Sequence, residues 1–217
     1  YEEPAGGTDI HCGEPAGGTD IHCGDSSGGA AMQQEHGLPD GIRLVPYPPG
    51  SPVDIVVTSE EKEFDAAILL KPKEYVVGVG CKKGKSMEEL GRFLTEKLGE
   101  FGISAAQVFA LASVSQKSRE PGLAGWCQKE RIPFFTYTAE ELQQVSGEFH
   151  ESPFVRAQVG VGNVCERAAL KACEETAAFG PGGAWQGNGT LVLPKCAGNG
   201  MTIAIAKREW RVHFYGE

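Results

Sequence analysis

Residues 74–90 read "EYVVGVGCKKGKSMEEL", in which a run of valines passes through a turn rich in glycine and lysine into a charged segment. The valine run, followed by glycines, is typical of a buried β-strand. Ser86 followed by Glu89 forms a capping box, which predicts a helix over about residues 87–100. A strand, a turn and a helix in this order form the unit from which α/β folds are built. The stretch therefore predicts an α/β domain that begins near residue 74.

Further strands and helices are predicted on both sides of this unit. Upstream, "IRLVPY", "VDIVVTSE" and "AAILLKP" predict three strands in residues 41–73. Downstream, "QVFALASVS" and "PFFTYT" predict strands, and "EPGLAGWCQKER" predicts a short helix that starts near Pro121. Capping boxes at Thr138 and Asn163 predict two more helices. The segments "TLVLPK" and "MTIAIAKREW", joined through "CAGNG", predict a closing hairpin.

The expected fold class is α/β, a three-layer α/β/α arrangement with a mixed sheet over residues 74–217. A partial β-rich domain over residues 41–73 precedes it. Residues 1–40 are rich in glycine and are interpreted as a flexible segment.

An eleven-residue duplication, "EPAGGTDIHCG", occupies residues 3–13 and 14–24. A zinc site formed by its two His-Cys pairs (His11, Cys12, His22 and Cys23) is the alternative to a plain loop. Adjacent residues rarely both reach one tetrahedral ion, and zinc ligands are usually separated by two or more residues. We therefore expect no metal site in the protein.

The net charge limits the kinds of partner, and the cysteine content indicates the cellular compartment. The net charge of −9 argues against a nucleic acid or an anionic membrane as partner. No apolar run approaches the length of a membrane span, and the N-terminus does not resemble a signal peptide. The seven cysteines are scattered without a C-x-x-C motif, which favours a reducing cytoplasm over a disulfide framework.

Three turns follow predicted strands or precede predicted helices, at residues 78–86, 113–122 and 159–163. In open α/β sheets ligands bind beyond the carboxyl ends of the strands, so these turns are expected to converge. They bring together a basic patch on an acidic protein, suited to a ligand with several carboxylates (Lys82, Lys83, Lys85 and Lys117). Solvated lysines and glycines required only by turn geometry are the alternative. The first turn does not have the spacing of a Walker nucleotide-binding loop.

Five segments carry a family resemblance: "GVGCKKGKSMEEL", "ALASVSQKSREPGLAGWC", "IPFFTYTAEEL", "VGVGNVCERAAL" and "LVLPKCAGNGMTIAIAK". In order and spacing they resemble the C-terminal domain of the cobalamin-biosynthesis protein CbiG, which also occurs alone as CobE. Residues 41–73 resemble the end of the CbiG central region. The closing "EWRVHFYGE" at 209–217 resembles the opening strand of tetrapyrrole methyltransferases and indicates either a fused enzyme or an added edge strand.

The resemblance implies a role in vitamin B12 synthesis. Full-length members are cobalt-precorrin-5A hydrolases, which open the ring A lactone and release acetaldehyde. The implied partners are a corrinoid intermediate and other enzymes of the cobalamin pathway. Cobalt is expected to arrive within the substrate, with no cofactor held by the protein. The alternatives are a non-catalytic module that binds corrinoid intermediates, like stand-alone CobE, and a purely structural domain.

Lactone hydrolysis requires an activated water and donors for the developing oxyanion. Glu120 is the candidate base and Lys117 the candidate donor, and spacing alone defines no Ser-His-Asp or Cys-His set. The candidate substrate-binding residues all lie in the first and third turns, namely Gly78, Gly80, Cys81, Lys82, Gly84, Ser86, Gly160, Gly162 and Asn163.

Overall fold

The structure, a computed structural model, describes residues 8–12, 42–46, 49–58, 63–177 and 189–208. The chain divides into two compact units, with the boundary between Pro72 and Lys73. Within the described residues, no helix is long and apolar enough to cross a membrane. The second copy of the repeat, with His22 and Cys23, lies outside the described residues, as do residues 209–217.

The first unit contains a parallel sheet of four strands. They are β1 (Thr8–Cys12), β2 (Ile42–Leu44), β3 (Val53–Val57) and β4 (Ala66–Leu70), in the order β2-β1-β3-β4. The three strands predicted upstream of residue 74 are therefore confirmed. The prediction of a loop over residues 1–40 is wrong for Thr8–Cys12, which form a strand in the first repeat copy. Pairing with strands on both sides stabilises this strand, although its short sequence shows no period of its own.

The second unit contains a mixed sheet of five strands, as predicted. They are β5 (Tyr75–Cys81), β6 (Val108–Val114), β7 (Phe134–Tyr137), β8 (Gly189–Gly198) and β9 (Met201–Arg208), in the order β7-β6-β5-β9-β8. Strands β5, β6 and β7 are parallel, and β9 is antiparallel to both β5 and β8. Asn199 and Gly200 link β8 to β9 with φ values of 53° and 74°. Two positive φ angles are typical of the two-residue turn of a hairpin.

The described part of this unit also contains five α-helices: α1 (Met87–Glu100), α2 (Pro121–Glu130), α3 (Ala139–Gln144), α4 (Pro153–Val159) and α5 (Cys165–Ala177). The capping boxes predicted at Ser86 and Thr138 are both present. Helix α4 was not predicted. Its signals are local, because the Ser152 side chain accepts from Val155 N, Pro153 is the first helical residue, and Gly160 ends the helix.

The sheet separates two hydrophobic clusters, which confirms the three-layer arrangement. On one face, Leu94 of α1 and Trp126 of α2 pack with Val77 and Val79 of β5. On the other face, the alanines of α5 pack with Val76 and Ala112. The small residues of α5 allow it to approach β5 closely: a Cβ atom at Gly78 would overlap the backbone of Cys165. This close packing places the first turn of α5 beside the carboxyl end of β5.

Candidate functional site

A cavity of about 600 Å³ lies at the carboxyl ends of β5 and β6. Its walls come from the turns after these strands, from α4, from the first turn of α5 and from the β8–β9 hairpin. The lining residues are Gly80, Cys81, Lys82, Lys83, Val114, Gln116, Lys117, Phe154, Val155, Gln158, Val159, Val164, Cys165, Lys195, Gly200 and Thr202. The cavity is thus at the edge of the sheet where the parallel-strand rule predicts a ligand site.

The cavity combines an apolar wall with a basic rim. Phe154, with 72% of its surface exposed, stands on the apolar side with two further residues of α4, Val155 and Val159, and with Val164 just before α5. Four lysines line the same space, and no lining residue is acidic: Lys82, Lys83, Lys117 and Lys195. The chain as a whole carries a net charge of −9. The local excess of positive charge therefore favours an anionic ligand with an apolar body.

The structure brings four of the candidate residues together at the cavity. Gly80, Cys81 and Lys82 come from the end of β5 and the turn after it, and Lys117 comes from the turn after β6. The segment 159–163 contributes Val159 to the same cavity. All three candidate turns therefore contribute at least one lining residue.

Glu120 lies beside this cavity in a closed network. It is 6% exposed, its Oε2 accepts from Lys117 Nζ at 2.9 Å, and its Oε1 accepts from Gly84 N at 2.7 Å. Burial raises the pKa of Glu120, but the Lys117 ion pair and the Gly84 amide outweigh burial and lower it overall. A carboxylate with a lowered pKa and both oxygens engaged is a weak base. The network therefore holds the turn after β5 and the turn after β6 together.

Cys81 is a half-buried thiol on the cavity wall. Burial raises its pKa, and the nearby Lys117 opposes that rise only in part. Cys165, also on the wall, is buried, and burial raises its pKa to about 11. Both residues are therefore thiols near neutral pH, and neither has the lowered pKa typical of a catalytic cysteine.

The remaining candidate glycines and polar residues shape the backbone around the cavity. Ser86 caps α1, Gly160 ends α4, and Gly162 lies against the Glu151 side chain. Asn163 is fully buried, and its Oδ1 accepts from Glu166 N at 2.9 Å. The predicted cap at Asn163 is thus present, although α5 itself begins at Cys165.

Sequence reasoning missed Lys195, Phe154 and a pair formed by His150 and Glu166. His150 Nδ1 lies 3.1 Å from Glu166 Oε1, across sixteen residues of sequence. Phe154 follows the Ser-Pro start of α4, which is a recognisable local signal, whereas nothing local marks Lys195. In the sequence, Glu166 has only the position of the second residue of the capping box that begins at Asn163. The histidine contact could not be inferred, because no regular period links the two positions.

No cluster of three or more His, Cys, Asp or Glu side chains that could hold a metal ion occurs within the described residues.

Comparison with known proteins identifies relatives of the second unit. A family profile described as "Cobalamin synthesis G C-terminus" matches residues 75–206. The cobalt-precorrin-5A hydrolase of Salmonella typhimurium is 37% identical over 100 residues, covering 46% of this chain and 28% of that protein. The cobalt-precorrin-5A hydrolase of Priestia megaterium is 29% identical over 147 residues, covering 68% of this chain and 36% of that protein. The chain therefore spans well under half the length of these two relatives.

A solved structure is similar to the same unit. The crystal structure of CobE, a protein from the cobalamin biosynthetic pathway, has a TM-score of 0.56 at 29% identity. The similarity covers 64% of this chain and 94% of that protein.

Proposed function

Because the chain belongs to the family of cobalamin synthesis G C-terminal domains, we propose that it binds a corrinoid intermediate of vitamin B12 synthesis in the cavity beside β5 and β6. As part of a cobalt-precorrin-5A hydrolase, it would hold that substrate while the ring A lactone is opened and acetaldehyde is released. The two bacterial relatives are named cobalt-precorrin-5A hydrolases.

The single observation that supports this proposal best is the pairing of an apolar wall with a rim of four lysines. A corrin macrocycle has flat apolar faces and carries carboxylates along its edge. The face would lie against Phe154 and the neighbouring valines, and the carboxylates would meet Lys82, Lys83 and Lys195. The cavity of about 600 Å³ lies within the usual size range of small-molecule sites.

A second candidate function is a binding module without catalysis. It is favoured by the similarity to CobE, which extends over 94% of that protein and 64% of this chain. In this reading the domain holds a corrinoid intermediate and passes it on. Both readings require the same cavity, and they differ in whether acetaldehyde appears.

Three further points complete the proposal. Cobalt would enter the site within the substrate rather than through protein ligands. Other enzymes of the cobalamin pathway would be the protein partners, since an intermediate must be received and passed on. The cytoplasm is the proposed location, because the scattered cysteines favour a reducing compartment.

The experiment is a titration of the protein with a cobalt corrinoid that carries free carboxylates, followed by the visible absorption of the corrinoid. Lys82→Ala and Lys83→Ala are the test variants, because both side chains are exposed at the rim. Lys129→Ala is the matched control, since Lys129 is an exposed lysine on α2 that does not line this cavity.

We expect each rim variant to weaken binding about fivefold, which corresponds to roughly 1 kcal/mol for an exposed charge pair. The affinity of the wild type should fall as salt is added, because salt screens these pairs. The control should bind like the wild type. Equal affinities for all four proteins, or no binding, would contradict the proposal. Acetaldehyde formed in the same samples separates the hydrolase from the binding module.

A further inference from the structure

The backbone of His150 is fixed by hydrogen bonds on both sides. Its N–H donates to Glu166 Oε2 at 3.2 Å. Its carbonyl oxygen accepts from Asn163 Nδ2 at 3.1 Å and from Lys195 Nζ at 3.3 Å. Two side chains at or just before the start of α5 and one from β8 therefore hold this one loop residue.

The residues on either side of His150 are held by Arg167. Its guanidinium lies over the Phe149 ring, 4.2 Å from the centroid, and its Nη2 donates to Glu151 Oε1 at 3.0 Å. The same guanidinium donates to the carbonyl oxygens of Leu142 at 3.1 Å and Val145 at 2.9 Å. Arg167 therefore ties the loop between α3 and α4 to helix α5, one residue away from Glu166.

The imidazole of His150 is exposed at one end and anchored at the other. Its side chain is 74% exposed, whereas that of Glu166 is 1% exposed. Glu166 Oε1 also accepts from Lys195 N at 2.7 Å, and Glu166 Oε2 contacts Asn163 Nδ2. An ionised carboxylate only accepts hydrogen bonds, so the ring nitrogen that faces it carries the proton. In the neutral ring, Nε2 is then an acceptor on the side of the ring away from Glu166.

This pair lies next to the cavity. Val164 and Cys165, which immediately precede Glu166, are lining residues, and so is Lys195. Lys195 contacts the pair twice, through its N–H to Glu166 and through its Nζ to the His150 carbonyl. His150 and Glu166 do not themselves line the cavity, and Lys195 connects both of them to its wall.

We propose that His150 is the general base of lactone hydrolysis at this cavity and that Glu166 is its positioning residue. The inference rests on the proposed corrinoid function. Nε2 removes a proton from water as the water oxygen bonds to the lactone carbonyl carbon. The acyl C–O bond then breaks, and the departing ring oxygen receives the proton from the imidazolium. The products are a carboxylic acid and an alcohol, so the atoms of one water molecule are accounted for and no oxidant or reductant is needed. Acetaldehyde leaves in a following step, in which the C–C bond of that alcohol breaks, the alcohol carbon becomes the aldehyde carbonyl and the hydroxyl proton passes to the carbon left on the macrocycle.

Glu166 serves this step by fixing the ring rather than by touching the substrate. It holds the Nδ1–H tautomer and would stabilise the imidazolium that forms in the transition state. If this loop needed only to be stable, the backbone hydrogen bonds of His150 would be sufficient. Stability alone would not require the exposed ring to be aligned with a buried carboxylate.

The test uses the whole chain and cobalt-precorrin-5A, with corrinoid binding and acetaldehyde release measured separately in single-turnover experiments. His150→Ala is the main variant, since an exposed side chain can be removed without emptying the core. Glu148→Ala, an exposed change in the same loop, is the matched control. We expect His150→Ala to slow acetaldehyde release about 100-fold or more, a typical effect of losing a general base. Its corrinoid affinity should stay within about twofold of wild type, and added imidazole should restore part of the rate.

Glu166→Asp tests the positioning role, because the shorter side chain withdraws the carboxylate from Nδ1. It should lower kcat with little change in KM. The ring ¹⁵N signals of His150 should change from a single Nδ1–H tautomer to a mixture.

The outcomes are distinguishable. Unchanged acetaldehyde release in His150→Ala overturns the catalytic role of the His150–Glu166 pair (the dyad) and leaves the proposed function in place. Corrinoid binding by the wild type without acetaldehyde release also overturns the dyad, and the binding module then remains as the function. If the wild type does not bind the corrinoid, the proposed function fails, and the catalytic role of the dyad falls with it.

Discussion

Replacing Gly78 with alanine should destabilise the second unit, although one methyl group is added to an extended strand. The new Cβ would overlap the carbonyl group of Cys165 and would lie 3.0 Å from Ala169 N. These are backbone atoms in the first turns of α5, so the helix must move away from the sheet as a body. Overpacking of this kind costs about 1–3 kcal/mol.

Alanine also restricts the unfolded chain, which offsets about 0.4–1 kcal/mol of that cost. The net loss expected for Gly78→Ala is therefore roughly 1–2 kcal/mol, or about 2–8 °C in Tm for a chain of this size.

Gly80→Ala is the matched control, because Gly80 lies two residues along the same strand. There the added Cβ would meet Thr202 Oγ1 at 2.5 Å, and a hydroxyl can rotate away. We expect a Tm for Gly80→Ala within about 2 °C of wild type in thermal unfolding followed by circular dichroism. If Gly78→Ala were as stable as Gly80→Ala, the close contact between β5 and α5 would not be the reason for glycine at position 78.

Three further results are expected. Glu120→Gln should lower the free energy of unfolding by about 1–3 kcal/mol at neutral pH. Because the fold lowers the pKa of Glu120, this contribution is complete above about pH 4.3, the ordinary value for a glutamate, and is lost as the pH falls through the lowered pKa. Urea unfolding at several pH values checks this expectation. A stability difference between the wild type and Glu120→Gln that persists in strong acid would contradict it. Deleting residues 3–13 leaves one intact copy of the repeat able to supply the β1 sequence, so stability should stay within about 1 kcal/mol in the same assay; a larger loss would mean that both copies are needed. Iodoacetamide at pH 8, followed by mass spectrometry, should modify Cys81 before the cysteines whose burial raises the pKa to about 11 or 12, namely Cys127, Cys165 and Cys173. A reversed order would show that the wall of the cavity is closed in solution.

The elements that could be predicted are those whose signals are local. The valine run before Gly80, the capping box at Ser86 and the Asn199–Gly200 turn each define an element within a few residues. Helix α4 carries similar signals at Ser152 and Gly160, but its seven residues are too few to show a helical period. Strand β1 could not be predicted in this way, since its pairing partners lie more than thirty residues away.

The candidate site was predictable only where chain order determines position. The turns after β5 and β6 meet because parallel strands place their carboxyl ends together, which correctly indicated Cys81, Lys82 and Lys117 as neighbours. Lys195 reaches the same place from the antiparallel β8, and its position depends on how a long connection returns to the sheet. The contact of His150 with Glu166 lies beside the contacts of Arg167, which join the same loop to α5 across about twenty residues of sequence.

The most direct test of the account is to locate cobalt in crystals of the protein grown with a bound cobalt corrinoid. Anomalous scattering measured on both sides of the cobalt absorption edge gives the metal position without any assumption about the ligand. We expect one strong peak inside the cavity, between Phe154 on the apolar wall and the rim lysines Lys82 and Lys195. A strong peak elsewhere on the protein, or an empty cavity in crystals whose colour shows that corrinoid is bound, would contradict it.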